Sequence, residues 1–233
     1  MMPYSYVDLL GEFQIGSAHP GGFDRTKAVL QKESFEKEMK VLDVGCGTGD
    51  SAFYIAKTFN CHVVGLEHHP VMIRTLEQRK KKEQTSIQII EGTVENLPFD
   101  SKMFDFVLCE SLLAFVDINQ ALNECYRVLK DNGTLIINEM IVKDMTIGDR
   151  ETFKEFYGVK ELHDETQLVK KIERAGFKTI KPFHNSSPLP AQPIDIQLTP
   201  NIDPELLHVL DTHVKIQKEL GKNIESIVLK CKK

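Results

Sequence analysis

Residues 41 to 50 read VLDVGCGTGD, from Val41 to Asp50: an apolar run that carries one acid, Asp43, and then breaks into glycine at every second position. Val41, Leu42 and Val44 are the residues a central parallel strand needs, because such a strand is buried on both faces. Gly45, Gly47 and Gly49 let the chain turn tightly behind the strand and bring bare backbone against a ligand. A dinucleotide-binding loop spaces its glycines G-x-G-x-x-G, and the third packs the helix close to the strand. Here that third position is Asp50, which disfavours an NAD-dependent oxidoreductase. The following helix N-terminus still favours an anionic group, such as the carboxylate of an amino-acid tail. A plain glycine-rich strand-to-helix turn is the bland alternative.

A second strand-like run begins at Cys61, CHVVGLEHHP, and ends in Glu67, about twenty residues after the glycine loop. That offset is the one expected of an acid that grips a ribose diol. Hydrogen bonds to a charged acceptor contribute roughly 1.5 to 3 kcal/mol each, so a paired contact would supply much of the nucleoside affinity. An acid near the helix that starts at Pro70 can also serve as a cap. Loop and acid together point to S-adenosylmethionine.

The motifs VLDVGCGTGD, GLEHHPVMI, EGTVENLPF, FDFVLCESLLAFVD and ALNECYRVLKDNGTLIINE follow one another over residues 40 to 140. In order and spacing they resemble class I S-adenosylmethionine-dependent methyltransferases, particularly the ubiquinone/menaquinone-biosynthesis type. The resemblance implies that Asp43, Gly45, Cys46, Gly47 and Gly49 surround the methionine part of the cofactor and that Glu67 holds the ribose hydroxyls. His68 would flank the adenine, where relatives carry an apolar residue; an imidazole can stack on a purine. His69 stands where a helix-capping serine is common. Thr93 replaces an aspartate that meets the adenine amino group, and a hydroxyl can accept the same bond more weakly. Val94 would offer its backbone N–H to the ring, and Cys109 and Glu110 would approach the amino end of the cofactor.

The segment Cys109-Glu110-Ser111-Leu112 lacks the Asn/Asp-Pro-Pro-aromatic pattern of enzymes that methylate base or glutamine nitrogens. Cys109 also lacks the flanking proline and glutamine of a cytosine-methylating nucleophile, and reads as a small buried residue. The pair His68–His69 is no metal site, because adjacent side chains diverge and no cluster of further ligands completes it.

The chain has 233 residues, 41% of them hydrophobic, with 29 basic and 34 acidic side chains for a formal net charge of -5. That length and composition fit one domain able to bury its own core, and the negative balance offers nucleic acid no electrostatic funnel. The basic run Arg79 to Lys82 reads as a solvated helix end whose cations complement the dipole. Five cysteines without a C-x-x-C pair suit reduced thiols in a cytoplasm. No apolar stretch approaches the roughly twenty residues of a membrane span, and the N-terminal residues lack a cationic region ahead of an apolar one.

Apolar runs near 40–45, 61–66, 86–91, 104–109 and 133–139 predict strands, with helices around 49–58, 70–83 and 118–130, the last stopped by Asp131-Asn132-Gly133. Such alternation predicts an α/β fold: a Rossmann-like, mostly parallel sheet of seven strands with helices on both faces. Segments 177–183 and 225–231 would close it with an antiparallel hairpin, and helices are expected from Glu165 to Ala175 and from Pro204 to about Leu220. Within a single domain spanning 1–233, residues 1–36 read as an N-terminal lid, 37–140 as the cofactor-binding core, and 141–233 as the rest of the sheet with a substrate-side insertion near 184–221. A helix from Gly22 to about Glu36 is expected in the lid, with His19 and Arg25 as candidate carboxylate or substrate contacts. Methyl transfer from a sulfonium needs alignment more than acid or base. Glu139, Tyr157, His163 and His184 are candidates to face the acceptor, but no spacing singles out a catalytic residue. The expected partner is a small-molecule methyl acceptor, and a non-catalytic S-adenosylmethionine-binding protein is the alternative.

Overall fold

The computed structural model describes residues 4–19, 21–183 and 203–233. The chain begins with helices α1 (Tyr6–Glu12) and α2 (Gly22–Leu30), then alternates through β1 (Lys40–Val44), α3 (Asp50–Phe59), β2 (His62–Glu67), α4 (Pro70–Glu83), β3 (Gln88–Glu91), β4 (Phe104–Glu110), α5 (Ile118–Val128) and β5 (Leu129–Val142). It continues through α6 (Ile147–Tyr157), α7 (Glu165–Arg174), β6 (Thr179–Pro182), α8 (Pro204–Leu220), a single 3-10 turn and β7 (Ile224–Lys232). The strands form one seven-stranded sheet in the order β3-β2-β1-β4-β5-β7-β6. β1 to β5 are parallel, and β7 runs antiparallel to both β5 and β6. This is the Rossmann-like sheet and terminal hairpin expected from the sequence.

Alternation along each strand divides the core into two layers. Leu42 and Val44 of β1 join Val64, Leu66 and Val107 in packing against Leu122 and Cys125 of α5 and Leu168 and Ile172 of α7. Val41, Val63 and Phe106 face the other side, against Val29 of α2, Phe53 and Ile55 of α3 and Leu76 of α4. Two layers of helix thus cover a sheet too apolar to expose on either face. The reversal of strand order beside β1 puts a crevice at the carboxyl ends of β1 and β4, the place where open α/β sheets take ligands.

Three boundaries differ from the sequence expectation. α2 ends at Leu30, six residues earlier than expected. α5 ends at Val128 because Leu129 is already extended (φ -69°, ψ 137°), and Asp131-Asn132-Gly133 lies inside β5 opposite a register shift at Phe104/Phe106. Two helices were not foreseen. α1 has seven residues, too few to show periodicity, and rests on the reciprocal Ser5/Asp8 capping box; α6 starts at Thr146, whose hydroxyl accepts the Asp149 N–H. His184 and the proline-rich stretch 184–202 lie outside the described residues.

Candidate functional site

The glycine loop leaves β1 with Gly45, Gly47 and Gly49 all at positive φ: 65°, 55° and 90°. Their reasons differ. A Cβ on Gly45 would stand 2.9 Å from Leu112 Cδ1, and one on Gly49 would stand 2.5 Å from Leu76 and 2.8 Å from Phe53. Those two glycines permit close packing. A Cβ on Gly47 would meet nothing within 4 Å, so the middle of the loop presents bare backbone to open space. The Cys46 thiol turns the other way, 2.8 Å from where a Gly65 side chain would begin, and burial pushes its pKa well up.

Glu67, at the end of β2, is 5% exposed. Its Oε2 accepts the Gly47 N–H at 2.8 Å, and its Oε1 accepts the N–H groups of His68 and His69 at 2.8 and 2.9 Å. Burial alone would raise its pKa. The His68 ring and these backbone donors outweigh burial and hold it below the usual carboxylate range. The acid therefore remains ionised, with lone pairs left for further donors. His68 is exposed, its Nδ1 3.4 Å from Glu67 Oε1, and that hydrogen bond raises the imidazole pKa. His69 occupies the N-cap of α4 without capping it. Its Nε2 instead reaches Asp8 of α1 at 3.3 Å. Among the described residues no group of three or more His, Cys, Asp or Glu side chains is gathered for a metal ion.

Glu110, at the end of β4, collects the largest polar cluster. Its carboxylate accepts the hydroxyls of Thr26 and Ser51, each at 2.5 Å, and the Asn138 amide at 3.3 Å. His19 Nε2 lies 3.6 Å from the same carboxylate, and His19 Nδ1 lies 3.0 Å from Asn138 Nδ2. The segment that leads into α2 is thus brought over the carboxyl ends of β4 and β5. It is held there also by Ser17, which donates to Asp50 at 3.0 Å, and by Gly16, whose Cβ would collide with Asp50 and Thr48. Ser51, Asn138 and Thr26 were missed in the sequence. Neutral polar residues in helix or strand patterns carry no signal until the fold gathers them. Arg25 instead donates to Ser226 on β7.

Lys81 and Lys82 are exposed at the end of α4 as expected of a solvated helix end, and Arg79 departs from that reading. It is partly buried over the Phe53 ring at 4.6 Å, pairs with Asp50 and Glu83, each at 2.5 Å, and donates to Thr48 O at 3.2 Å. It braces the glycine loop from behind.

Thr93 is exposed, and its carbonyl accepts the Asn96 N–H. The Val94 side chain is core. Cys109 is core as well, 1% exposed, its pKa driven up by burial first and then by nearby Cys125 and Glu139. Glu139 is 3% exposed and accepts the N–H groups of Leu113 and Met140 at 2.8 and 3.0 Å. Burial nevertheless raises its pKa to about 7. Tyr157 bonds His213 Nδ1 at 2.9 Å and Gln217 at 3.1 Å, and Tyr6 of α1 stacks on His213 at 4.9 Å. His163 lies 3.2 Å from Glu161, which also meets Lys171.

Asp43 Oδ2 is buried without a hydrogen-bond partner. Burial, with the nearby charges of Glu110 and Glu67, raises the Asp43 pKa well above its ordinary value. A cationic donor would relieve that cost, since a buried orphan acceptor is disfavoured by about 1 to 3 kcal/mol. An orphan acid at the strand end, open backbone at Gly47 and an ionised acid at Glu67 fit, in that order, an ammonium, a methionine-like chain and a diol.

The chain belongs to the class I S-adenosylmethionine-dependent methyltransferase family. The methyltransferase domain model matches residues 42–137. An uncharacterized methyltransferase YodH of Bacillus subtilis is 33% identical over 219 residues, 91% of this chain and 92% of that protein. The ubiquinone/menaquinone biosynthesis C-methyltransferase UbiE of Agrobacterium fabrum is 37% identical over 116 residues, 48% of this chain and 45% of its own. Among solved structures, Haemonchus contortus phosphoethanolamine N-methyltransferase 2 in complex with S-adenosyl-L-methionine superposes with a TM-score of 0.79 at 18% identity. That alignment takes in 99% of this chain and 57% of that one. The protein is a methyltransferase, and S-adenosylmethionine is its methyl donor.

Proposed function

We propose that this enzyme methylates a small organic molecule in a chamber covered by its N-terminal segment. In this reading Asp43, Gly45, Cys46, Gly47 and Gly49 surround the methionine part of the donor, the Cys46 contribution being backbone. Glu67 takes the ribose hydroxyls, His68 covers the adenine, Thr93 and Val94 meet its edge, and Glu110 stands at the amino end beside Cys109. When bound, S-adenosylmethionine supplies an electrophilic methyl group on a sulfonium. The residues of this chain bind, orient and exclude water, and positioning of this kind lowers a barrier by roughly 7 to 11 kcal/mol. The acceptor would enter beside Leu112, which touches the loop at Gly45.

The observation that carries the small-acceptor reading is the burial of His19 (8% exposed) against Glu110 and Asn138. A segment folded over the end of β4 would cover the reacting groups, which suits a small acceptor better than a polymer. The net charge of -5 also disfavours a polyanion. Relatives named for phosphoethanolamine and for demethylmenaquinone act on small molecules. Five free cysteines suit a reducing cytoplasm.

The test is transfer of a labelled methyl group into a metabolite extract, with the protein and nucleic-acid fractions assayed separately and Gly47→Arg as the blocked control. Label is expected in the small-molecule fraction from wild type only. Label confined to macromolecules, or none despite measured donor binding, rejects the reading, and the second result would favour a regulatory binding protein.

A further inference from the structure

A second concavity lies at the other end of the sheet, where β1 and β4 begin and β7 ends. It has a volume of about 430 Å3, stands partly open to solvent, and is lined by the lysines Lys32, Lys130, Lys230 and Lys232 and the acids Glu33, Asp105 and Asp131. From Asp105 at its edge to Glu110, five strand steps of about 3.3 Å separate it from the methyl-transfer crevice by roughly 17 Å.

Its charges are not equivalent. Lys130 is neutralised by Asp105, with contacts of 2.8 and 2.9 Å, and Lys230 by Glu33 at 2.6 Å. Lys32 and Lys232 have no carboxylate within ion-pair distance among the described residues. The Lys32 ammonium rides over the Phe183 ring at 4.6 Å, and Lys232 donates to the Asn132 carbonyl at 3.1 Å. Burial first, and Lys230 second, lower the pKa of Lys232, while the nearby Glu33 charge opposes them.

A second observation is independent of the lysines. Thr134, on the same wall, is 1% exposed, and its Oγ1 is a buried hydroxyl without a partner. The wall itself is irregular by construction. Asn132 sits at φ 64°, and a Cβ on Gly133 would stand 2.9 Å from the Lys130 carbonyl. The Asp131-Asn132-Gly133 stretch lies inside β5, opposite the register shift in β4, and lines the concavity.

We propose that this cleft is a second ligand site, for a small phosphate-bearing anion held by Lys32 and Lys232. The volume falls in the range of small-molecule pockets, about 300 to 1,000 Å3. Ammonium groups recognise phosphate as point charges.

The test is calorimetric titration of the full chain with inorganic tripolyphosphate at fixed ionic strength, and in separate runs with AMP and with an acidic decapeptide. One phosphate-bearing ligand per chain is expected to bind. The pair Lys32→Met with Lys232→Met, which keeps both aliphatic stems, should weaken it at least tenfold while S-adenosylmethionine affinity changes less than twofold. Thr134→Val serves as a second, uncharged probe and should weaken it about threefold. A stoichiometry of several weak sites, unchanged binding in the lysine variant, or tighter binding of the peptide would overturn the proposal. Donor affinity is read in the same samples, so this site can fail while the methyltransferase assignment stands.

Discussion

Gly47 and Glu67 stand twenty residues apart, and the N–H of the first donates to Oε2 of the second at 2.8 Å. The bond ties the open middle of the loop to the acid that closes β2, so two parts of one proposed cofactor site are fixed relative to each other before a ligand arrives. Glu67→Gln keeps the shape but removes the charge and places an amide N–H against three backbone donors. Affinity for S-adenosylmethionine should fall at least tenfold by calorimetry.

The same carboxylate makes stability depend on pH. Its folded pKa is depressed, so its contribution is present above the unfolded carboxylate range and is lost as pH falls through the folded value. Wild type should lose stability faster than Glu67→Gln on acidification below about pH 4.5. Parallel urea-midpoint curves for the two proteins in that range would contradict this.

Glu139 titrates with the opposite sign. Its pKa rises to about 7 in the folded chain from an ordinary 4.5. The folded state then binds the extra proton between those values, and the resulting stability is lost as pH rises through 7. The span corresponds to about 3 kcal/mol, an order of magnitude for a fully buried acid. Glu139→Gln has no such proton to lose. Its stability relative to wild type should climb between pH 5 and 8 in chemical denaturation, and a constant difference across that range would show that Glu139 does not titrate there.

Thr26 and His19 attach the N-terminal segment to Glu110 and Asn138. Thr26→Val removes a 2.5 Å hydroxyl donor to a buried carboxylate, a contact to a charged group worth roughly 1.5 to 3 kcal/mol. Amide hydrogen exchange should accelerate over residues 6–30 and remain unchanged in β1 and β4. Uniform acceleration throughout the sheet would mean that the contact stabilises the whole fold and not the cover.

The sheet was legible in the sequence because β1, β2 and β4 are short apolar runs, as buried parallel central strands require. Asp43, Glu67 and the glycines were legible because a strand end followed by backbone without side chains has few alternative meanings. The polar cluster on Glu110 was not. Thr26, Ser51 and Asn138 come from a helix, another helix and a strand, and their proximity depends on how three elements meet. His69 also read as an imperfect cap, whereas its partner Asp8 lies on a helix too short to recognise.

The two kinds of glycine in the loop give the sharpest separation of folding from binding. At Gly49 an alanine would meet φ 90° and the side chains of Leu76 and Phe53 at 2.5 and 2.8 Å, so strain and overpacking add, at about 1 to 2 kcal/mol for the backbone and 1 to 3 for the contact. At Gly47 the φ of 55° costs a comparable amount, but the new methyl enters open space. Gly47→Ala should therefore lower the melting temperature less than Gly49→Ala and yet weaken S-adenosylmethionine binding more, because its methyl occupies the volume assigned to the ligand. Thermal melts and donor titrations on the two variants provide four numbers. If Gly47→Ala binds the donor as wild type does, the ligand does not lie along that face of the loop, and the placement of the methionine part there is wrong.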